Sequence, residues 1–473
     1  MILSQPMKNM GIYALSLFLS KGVSLFMLPL ITYYLTVDQV GKLELLATIS
    51  ACFGIMAGLA LHECLYRFAG VKKTQHQRWI KASELFTFAL ILGTLIAIGF
   101  WLVFQFIRFS TSVSLPFTVQ EQSLILLVVG LEGAIAISTA WLRMIDKPML
   151  FFKISITTTG MQVCGIMAVL HLFPTVIGIL TVGAVASVVQ LLLLQHYNHF
   201  DWQWPARPKV YLGYALPLAL SGLVAFGLSG SERWIIAFSS SLEQLAHYAI
   251  AIKLSLAMCI LVQPFGMWWM PKRFTTLEQK GPQQAVKYTQ YGMVYIALLT
   301  VTIAFAGQVI ILFSLPLEYA DAAKMLIGTL AVAFFKEQSE LFNLGLLHHK
   351  KTHWLFAINL TATTAGLTLC GFWATIGISG ILIALIIAQG FRCLLVIYFS
   401  HQLQPIPYAY KSSIALMLCV GFCLIIAWHA EFLWMLIVGS ILAPIMILLM
   451  ALITRLVILP SAWFHPSFKL SSR

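Results

Sequence analysis

Charge is scarce in this chain. Its 473 residues include 16 acidic and 29 basic side chains, 10% of the total, where a soluble domain carries roughly a quarter. With 60% of residues hydrophobic and a mean hydropathy of +0.91, there is too little polar surface to cover a water-soluble fold. The excess apolar surface must face lipid. Long hydrophilic stretches are missing as well. No segment between apolar runs exceeds roughly 20 residues, whereas an independently folding domain starts at about 50. That excludes an appended soluble catalytic or binding domain.

The eight cysteines (52, 64, 164, 259, 370, 393, 419 and 423) lie inside apolar runs and form no CxxC pair or Cys/His ligand set. Disulfides and zinc are therefore not expected. His62, Glu63 and Cys64 in LHECLYR are consecutive and diverge on a helix, so they make no metal site. There is no Walker A loop, HExxH, GxSxG or aspartate-rich motif, so no metal, cofactor or enzymatic activity is expected. Without an ATP site, any transport must draw on a gradient, the membrane potential or downstream consumption of product. The N-terminus lacks a short apolar segment followed by a small-residue cleavage site and reads as an uncleaved first span.

What is present is a succession of apolar runs of about 20 residues, the length that crosses a bilayer. Fourteen spans are expected: 10–34, 42–66, 84–107, 122–142, 151–171, 176–197, 212–238, 246–270, 289–313, 323–347, 354–375, 380–400, 412–429 and 434–456. The break near 172–175 is the weakest, because LHLFPTVIG is also compatible with a kink. An all-α polytopic membrane protein follows, with both termini on one side. Counting Lys and Arg loop by loop, 21 fall on the side of the termini and three (Lys42, Arg108 and Lys324) on the other. The positive-inside rule then makes the termini cytoplasmic. The net charge of +13 is spread over these short loops and forms no basic patch with interleaved aromatics, so nucleic acid is not an expected partner.

Charges inside spans are costly, about 2.5–3.5 kcal/mol each at the centre, and mark function or deliberate pairing. Five are basic: Lys21, Arg233, Lys253, Lys336 and Arg392. Glu132, Glu232, Glu337 and Glu340 are the acids, with Glu44 and Glu63 nearer span ends. Lys336 and Glu340 stand four apart on one helix and are expected to pair. Glu232 and Arg233 are adjacent, diverge by about 100° on a helix, and each needs a partner elsewhere. Lys21, Lys253 and Arg392 have no acid within a turn, so each either faces a polar cavity or bridges to another helix. The balance leans cationic, which suits an anionic substrate, phosphate above all. Glu132, an isolated mid-span acid, is a candidate proton carrier. Glu132, Glu232, Glu337 and Glu340 are together the candidates for ion coupling or charge pairing.

One internal echo joins the halves. SKGVSLFMLPLITYYLTVDQVG (20–41) aligns without gaps on AFGLSGSERWIIAFSSSLEQLA (225–246), with Gly22/Gly227, Ser24/Ser229, Ile31/Ile236 and Gln39/Gln244 identical. Six spans separate the copies. An even number implies parallel repeats about an axis along the membrane normal, an arrangement common in transporters.

These residues also carry a resemblance. ITYYLTVDQVGKLELLATI (31–49) and LHECLYRFAG (61–70), with Gly41 opening the second span and Arg67-Phe68 closing it, resemble the start of the polysaccharide, or lipid-linked oligosaccharide, flippases. These belong to the multidrug/oligosaccharidyl-lipid/polysaccharide (MOP) exporter superfamily. YALPLALSGLVAFGLSGSERWIIAF (214–238) resembles their seventh span through Pro217, Glu232 and Arg233, with Glu where Asp is usual. SLEQLAHYAIAIKLS (241–255) resembles the eighth, through Tyr248 and Lys253. Ala246 and His247 depart from its usual Gly-x. QPFGMWWMPKRF (263–274) resembles its cytoplasmic end. These motifs cover about a quarter of the chain.

The resemblance implies two pseudo-symmetric six-helix lobes around a central cavity, 1–205 and 206–404, with two further helices and a tail in 405–473. It implies alternating access, and an undecaprenyl-diphosphate-linked oligosaccharide moved from the inner to the outer leaflet of the bacterial inner membrane for O-antigen or exopolysaccharide synthesis. Membrane lipids, a polysaccharide polymerase and other assembly proteins are the partners implied. In the related lipid II flippases, bases on the first and eighth spans face the cavity, and Lys21 and Lys253 sit on the corresponding helices. Lys21, Arg233, Lys253, Lys336 and Arg392 are thus the expected cavity cations, with Arg233 facing the cavity or a helix junction near the outer gate, as the substrate-facing member of its pair, and Glu232 holding a neighbouring base. The alternatives are a multidrug or lipid II transporter of the same superfamily, or a membrane-embedded polysaccharide polymerase. The polymerase should carry a sizeable outer loop with catalytic Arg or His, and the sequence has none.

Overall fold

The computed structural model describes residues 27–457 apart from 70–71, 73, 111–114, 271–272 and 350, together with residues 15, 16, 19, 22 and 23. Every regular element among them is helical. After a helical stretch over 27–34, α1 (Val37–Gly58) leads into the short α2 (Leu61–Cys64) and a π-helical turn, Leu65–Ala69. Then follow α3 (Gln75–Ser110), α4 (Val119–Met144), α5 (Pro148–Leu172), α6 (Val176–Asn198), α7 (Pro208–Gly227) and α8 (Glu232–Ser239). The later elements are α9 (Leu242–Trp269), α10 (Arg273–Lys280), α11 (Pro282–Ser314), α12 (Asp321–Phe342), α13 (Leu344–His348), α14 (Thr352–Trp373), α15 (Ile378–Leu403), α16 (Tyr410–His429) and α17 (Leu433–Ile453).

Twelve helical segments among the described residues are long and apolar enough to cross a membrane. They correspond to twelve of the fourteen expected spans. Of the other two, 10–34 lies largely outside the described residues. The span 323–347 folds as α12 and α13, and α12 carries the charged Lys336, Glu337 and Glu340. The doubtful break near 172–175 separates two helices, α5 and α6.

Three expected spans are interrupted. In 42–66 the break falls where Leu59 and Ala60 take left-handed conformations between α1 and α2. Residues 228–231 divide 212–238 into α7 and α8, and Asn343 divides 323–347 into α12 and α13.

Helix starts sort by loop charge. On the side of the acidic loops, hydroxyl side chains cap the N-termini. Thr36 accepts from the Gln39 amide, Thr118 from Glu121, Thr175 from Gly178 and Ser241 from Gln244. Asp38, Glu121 and Glu243 sit in the first turns of α1, α4 and α9, where negative charge meets the positive end of the helix dipole. On the side of the basic loops, α5, α7 and α11 begin with Pro148, Pro208 and Pro282, whose missing N–H costs nothing at that position. The loop charges are also used locally: Lys42 pairs with Glu121 at 2.8 Å, and Arg108 donates to the Phe117 carbonyl at 2.7 Å.

Contacts divide the chain into two compact units. The first comprises residues 1–250, 314–319 and 359–384. Its core is an apolar cluster of Leu61, Leu65, Leu85, Phe86, Ile137 and Trp141, with Phe200 and Tyr211. The second comprises 251–313, 320–358 and 385–473. Within it, Gln308 on α11 donates to its own helix at Ala304 and to the Ala427 carbonyl of α16. The Gly345 amide, at the start of α13, donates to the Ser400 hydroxyl of α15 at 2.9 Å.

Candidate functional site

Among the described residues, most of the charged groups inside the spans fall into two clusters, one in each unit. The first is built on α1, α8 and the start of α9. Arg233, on the first turn of α8, reaches Glu44 on α1 at 2.9 Å and the Thr48 hydroxyl one turn further along at 3.3 Å. Glu232 is 1% exposed. Its Oε1 accepts from the Tyr248 hydroxyl at 3.0 Å and lies 4.0 Å from the Arg233 Nε, while its Oε2 has no partner among the described residues. Two carboxyl groups thus share one guanidinium in a buried setting, so this cluster does not lean cationic.

Local sequence explains how these groups meet. The Gly-Ser content of residues 227–231 ends α7, and α8 restarts with Glu232 at its N-terminal turn. The turns of the internal echo lie side by side: a Cβ added to Gly41, in the first turn of α1, would collide with the Leu242 carbonyl at the start of α9. Each copy has the same cap, Thr36 with Gln39 and Ser241 with Gln244. The closeness of the two turns brings Glu44 within reach of Arg233.

The second cluster is built on α10, α12 and α15. Glu340 accepts from Arg392 at 2.9 Å through Oε1 and from the Asn343 amide at 3.0 Å through Oε2. The Asn343 carbonyl oxygen in turn accepts from Arg273 at 2.9 Å. Arg392 is thereby joined to the Glu340 carboxylate directly and Arg273 through the Asn343 carboxamide. Glu337 lies in the field of Lys336 and Arg392 and shares a hydrogen bond with the Cys259 thiol of α9. Arg273, Lys336 and Arg392 against Glu337 and Glu340 leave one positive charge in excess. Burial pulls the Arg273 pKa down, with the Glu340 charge opposing that shift.

The sequence-expected residues fall as follows. Lys21 lies outside the described residues. Arg233 and Arg392, expected among the open cavity cations, each carry a carboxylate partner on another helix, because a guanidinium held away from water needs one. For Arg392 this is the interhelical bridge that the sequence left open. The roles expected of Glu232 and Arg233 shift as well. Glu232 is held by Tyr248, and the acid on Arg233 is Glu44, noted in the sequence only as an acid near a span end. Glu340 was expected to pair with Lys336 on its own helix and meets Arg392 instead. Lys253 and Lys336 are half-buried on α9 and α12. Glu132 on α4 turns its carboxylate against the backbone of α1 at Gly54, where a Cβ would collide with it. Sequence reasoning missed Arg273 and Asn343; the tandem of Arg273 with the break at Asn343 left no periodic signal.

No family model matches the chain, and a search of curated proteins finds no match. Solved structures do match. A lipid II flippase, MurJ, in an inward closed conformation superposes with a TM-score of 0.69 at 14% identity, covering 94% of this chain and 98% of that one. An outward-facing multidrug resistance MATE transporter of the MOP superfamily gives 0.54 at 13% identity over 83% and 95%. The eukaryotic MATE transporter AtDTX14 gives 0.53 at 12% identity over 89% and 97%. The fold is like that of these three structures. At these identities the likeness speaks for architecture, and substrate has to be argued from the residues.

Proposed function

We propose that the chain is a flippase that moves an isoprenoid-diphosphate-linked oligosaccharide from the cytoplasmic to the periplasmic leaflet by alternating access, for surface polysaccharide synthesis. The motifs in 31–49, 61–70, 214–255 and 263–274 that resemble the polysaccharide flippases carry this reading, and the fold likeness is compatible with it. That likeness reaches 0.69 over 94% of the chain for a protein whose name states a lipid-linked glycan as cargo, against 0.54 and 0.53 for the two multidrug transporters. In this reading, lobes 1–205 and 206–404 move against each other, with 405–473 as an accessory pair of helices. Lys21, Lys253, Lys336 and Arg392 serve the diphosphate, since ammonium and guanidinium groups in a low-dielectric setting suit a multiply charged anion. Glu132 and Glu232 are the candidates for coupling to an ion gradient.

The fold likeness gives a second reading specific support, that the glycolipid is lipid II. Deleting the gene in its host separates them. Loss of surface polysaccharide with growth retained supports the first reading, and Lys21→Ala and Lys253→Ala should reproduce that loss while the protein still accumulates in the membrane. Loss of viability supports lipid II. Intact polysaccharide with altered drug tolerance would refute both.

A further inference from the structure

Away from both charge clusters, the first unit contains a crevice of about 460 Å³ between α4, α5 and α6, within the usual size range of small-molecule sites. One face of α5 supplies Ser155, Thr158, Thr159 and Gln162, facing Ser187 and Gln190 on α6. From α4 come Thr139 and, at the basic-loop end, Arg143, while Phe151 closes the same end. Gln162 stands fourteen positions past the first residue of α5, Pro148, about 21 Å at 1.5 Å per residue. The polar lining therefore runs well past the middle of a bilayer core about 30 Å thick.

The hydrogen-bond inventory of the lining narrows its ligand. Thr139, Thr158 and Ser187 each donate to a carbonyl of their own helix, Ile135 at 2.9 Å, Ile154 at 2.9 Å and Gly183 at 3.0 Å. Their protons are used, and their oxygens remain as acceptors. Gln162 and Gln190 add groups that both donate and accept. Among the described residues, no carboxylate lines the crevice and Arg143 is its single charge, so it matches neither a cation nor a diphosphate. An acceptor-rich wall with two carboxamides and one aromatic face asks for a ligand that carries many hydroxyl donors and a flat apolar side.

We propose that this crevice is a sugar-binding subsite that takes a pyranose ring of a neutral, hydroxyl-rich glycan. It rests on the flippase reading only for the source of the sugar, which would be the glycan of the carried lipid; a free saccharide offers the same chemistry.

The test uses the full-length protein in lipid nanodiscs with three probes. These are a short-chain isoprenyl diphosphate bearing a disaccharide, the same diphosphate without sugar, and a panel of free hexoses and N-acetylhexosamines followed by saturation-transfer NMR. Gln162→Leu/Gln190→Leu removes the two carboxamides. Gly183→Leu puts an apolar side chain into the crevice beside the Gln162 carboxamide, since among the described residues a Cβ at Gly183 meets only the Gln162 Nε2, at 3.9 Å. Both variants should weaken the sugar-bearing probe about tenfold or more, the loss expected from two or three neutral hydrogen bonds, and leave the sugarless probe unchanged. Equal weakening of both diphosphate probes, or no weakening of either, overturns the subsite. If the wild type binds neither diphosphate probe, the flippase reading falls and the free sugars decide. A saturation-transfer signal lost in both variants keeps the subsite, and no signal from any sugar overturns it.

Discussion

The Arg233–Glu44 pair allows a worked prediction of what fastens α8 to α1. Their nitrogen and oxygen stand 2.9 Å apart, with side chains 15% and 7% exposed. At an effective dielectric of about 20, unit charges at that distance attract by about 6 kcal/mol. Desolvation of the two ions offsets most of this, so the intact pair adds little over an apolar pair of similar shape. Breaking it is another matter, because the surviving charge is left buried. Glu44→Gln should therefore cost about 3 kcal/mol or more. Arg233→Met should cost less, since it leaves two nearby carboxyl groups that can take up a proton. The double variant should be more stable than Glu44→Gln alone, with a coupling energy of about 2 kcal/mol or more. The assay is unfolding of the purified protein in mixed micelles by SDS titration, read by tryptophan fluorescence. Strictly additive losses would refute the reasoning, as would a Glu44→Gln variant as stable as the wild type.

Other perturbations follow from the same geometry. Gly41→Val places a side chain on the Leu242 carbonyl, and should lower thermal stability and yield more than Gly22→Val, whose Cβ meets no described residue within 4 Å. Tyr248→Phe removes the hydrogen bond to a Glu232 carboxylate that is 1% exposed; a loss of about 1–3 kcal/mol is expected in the same SDS titration, and no loss would remove Tyr248 as the group holding Glu232. Asn343→Ala breaks the link between Arg273 and Glu340. It should destabilise the protein more than Asn343→Asp, which keeps an acceptor for Arg273, and the reverse order would count against the link.

Much of the helix inventory was legible because crossing a bilayer imposes a local requirement, about 20 apolar residues in a row. α12 was read from the sequence as one of the fourteen apolar runs, yet it is not among the twelve helical segments long and apolar enough to cross a membrane. The two matching turns were legible, because Gln39 and Gln244 align in the echo, whereas the caps that Thr36 and Ser241 form there came only with the structure. The interruptions were harder. Residues 227–231, GLSGS, carried a composition signal for the break before α8, whereas Leu59 and Ala60 carried none, since left-handed backbone at those residues is set by packing. Partner choice was least legible. Arg233 lies 185 residues from Thr48, and apolar sequence contains no pattern that says which distant carboxylate a buried base will meet. Glu44 and Glu340 became visible as partners only in three dimensions.

The pairing of Arg233 and Arg392 changes which cations can meet an anion. A diphosphate approaching either arginine must displace a carboxylate, and the difficulty of that exchange depends on how well water can receive the released group. At Arg233 the carboxylate is Glu44, 7% exposed, so releasing it leaves a buried, unmatched charge. At Arg392 the carboxylate is Glu340, 43% exposed, and it keeps the Asn343 amide as a donor after the guanidinium leaves. Exchange at Arg392 is thus far less costly, and the one positive charge in excess in its cluster favours an incoming anion. Arg233 is better suited to fixing α8 against α1 than to binding substrate. Arg392→Met should accordingly weaken binding of the sugarless isoprenyl diphosphate probe more than Arg233→Met/Glu44→Gln does. Equal losses, or a larger loss from the double variant, would return Arg233 to the substrate path.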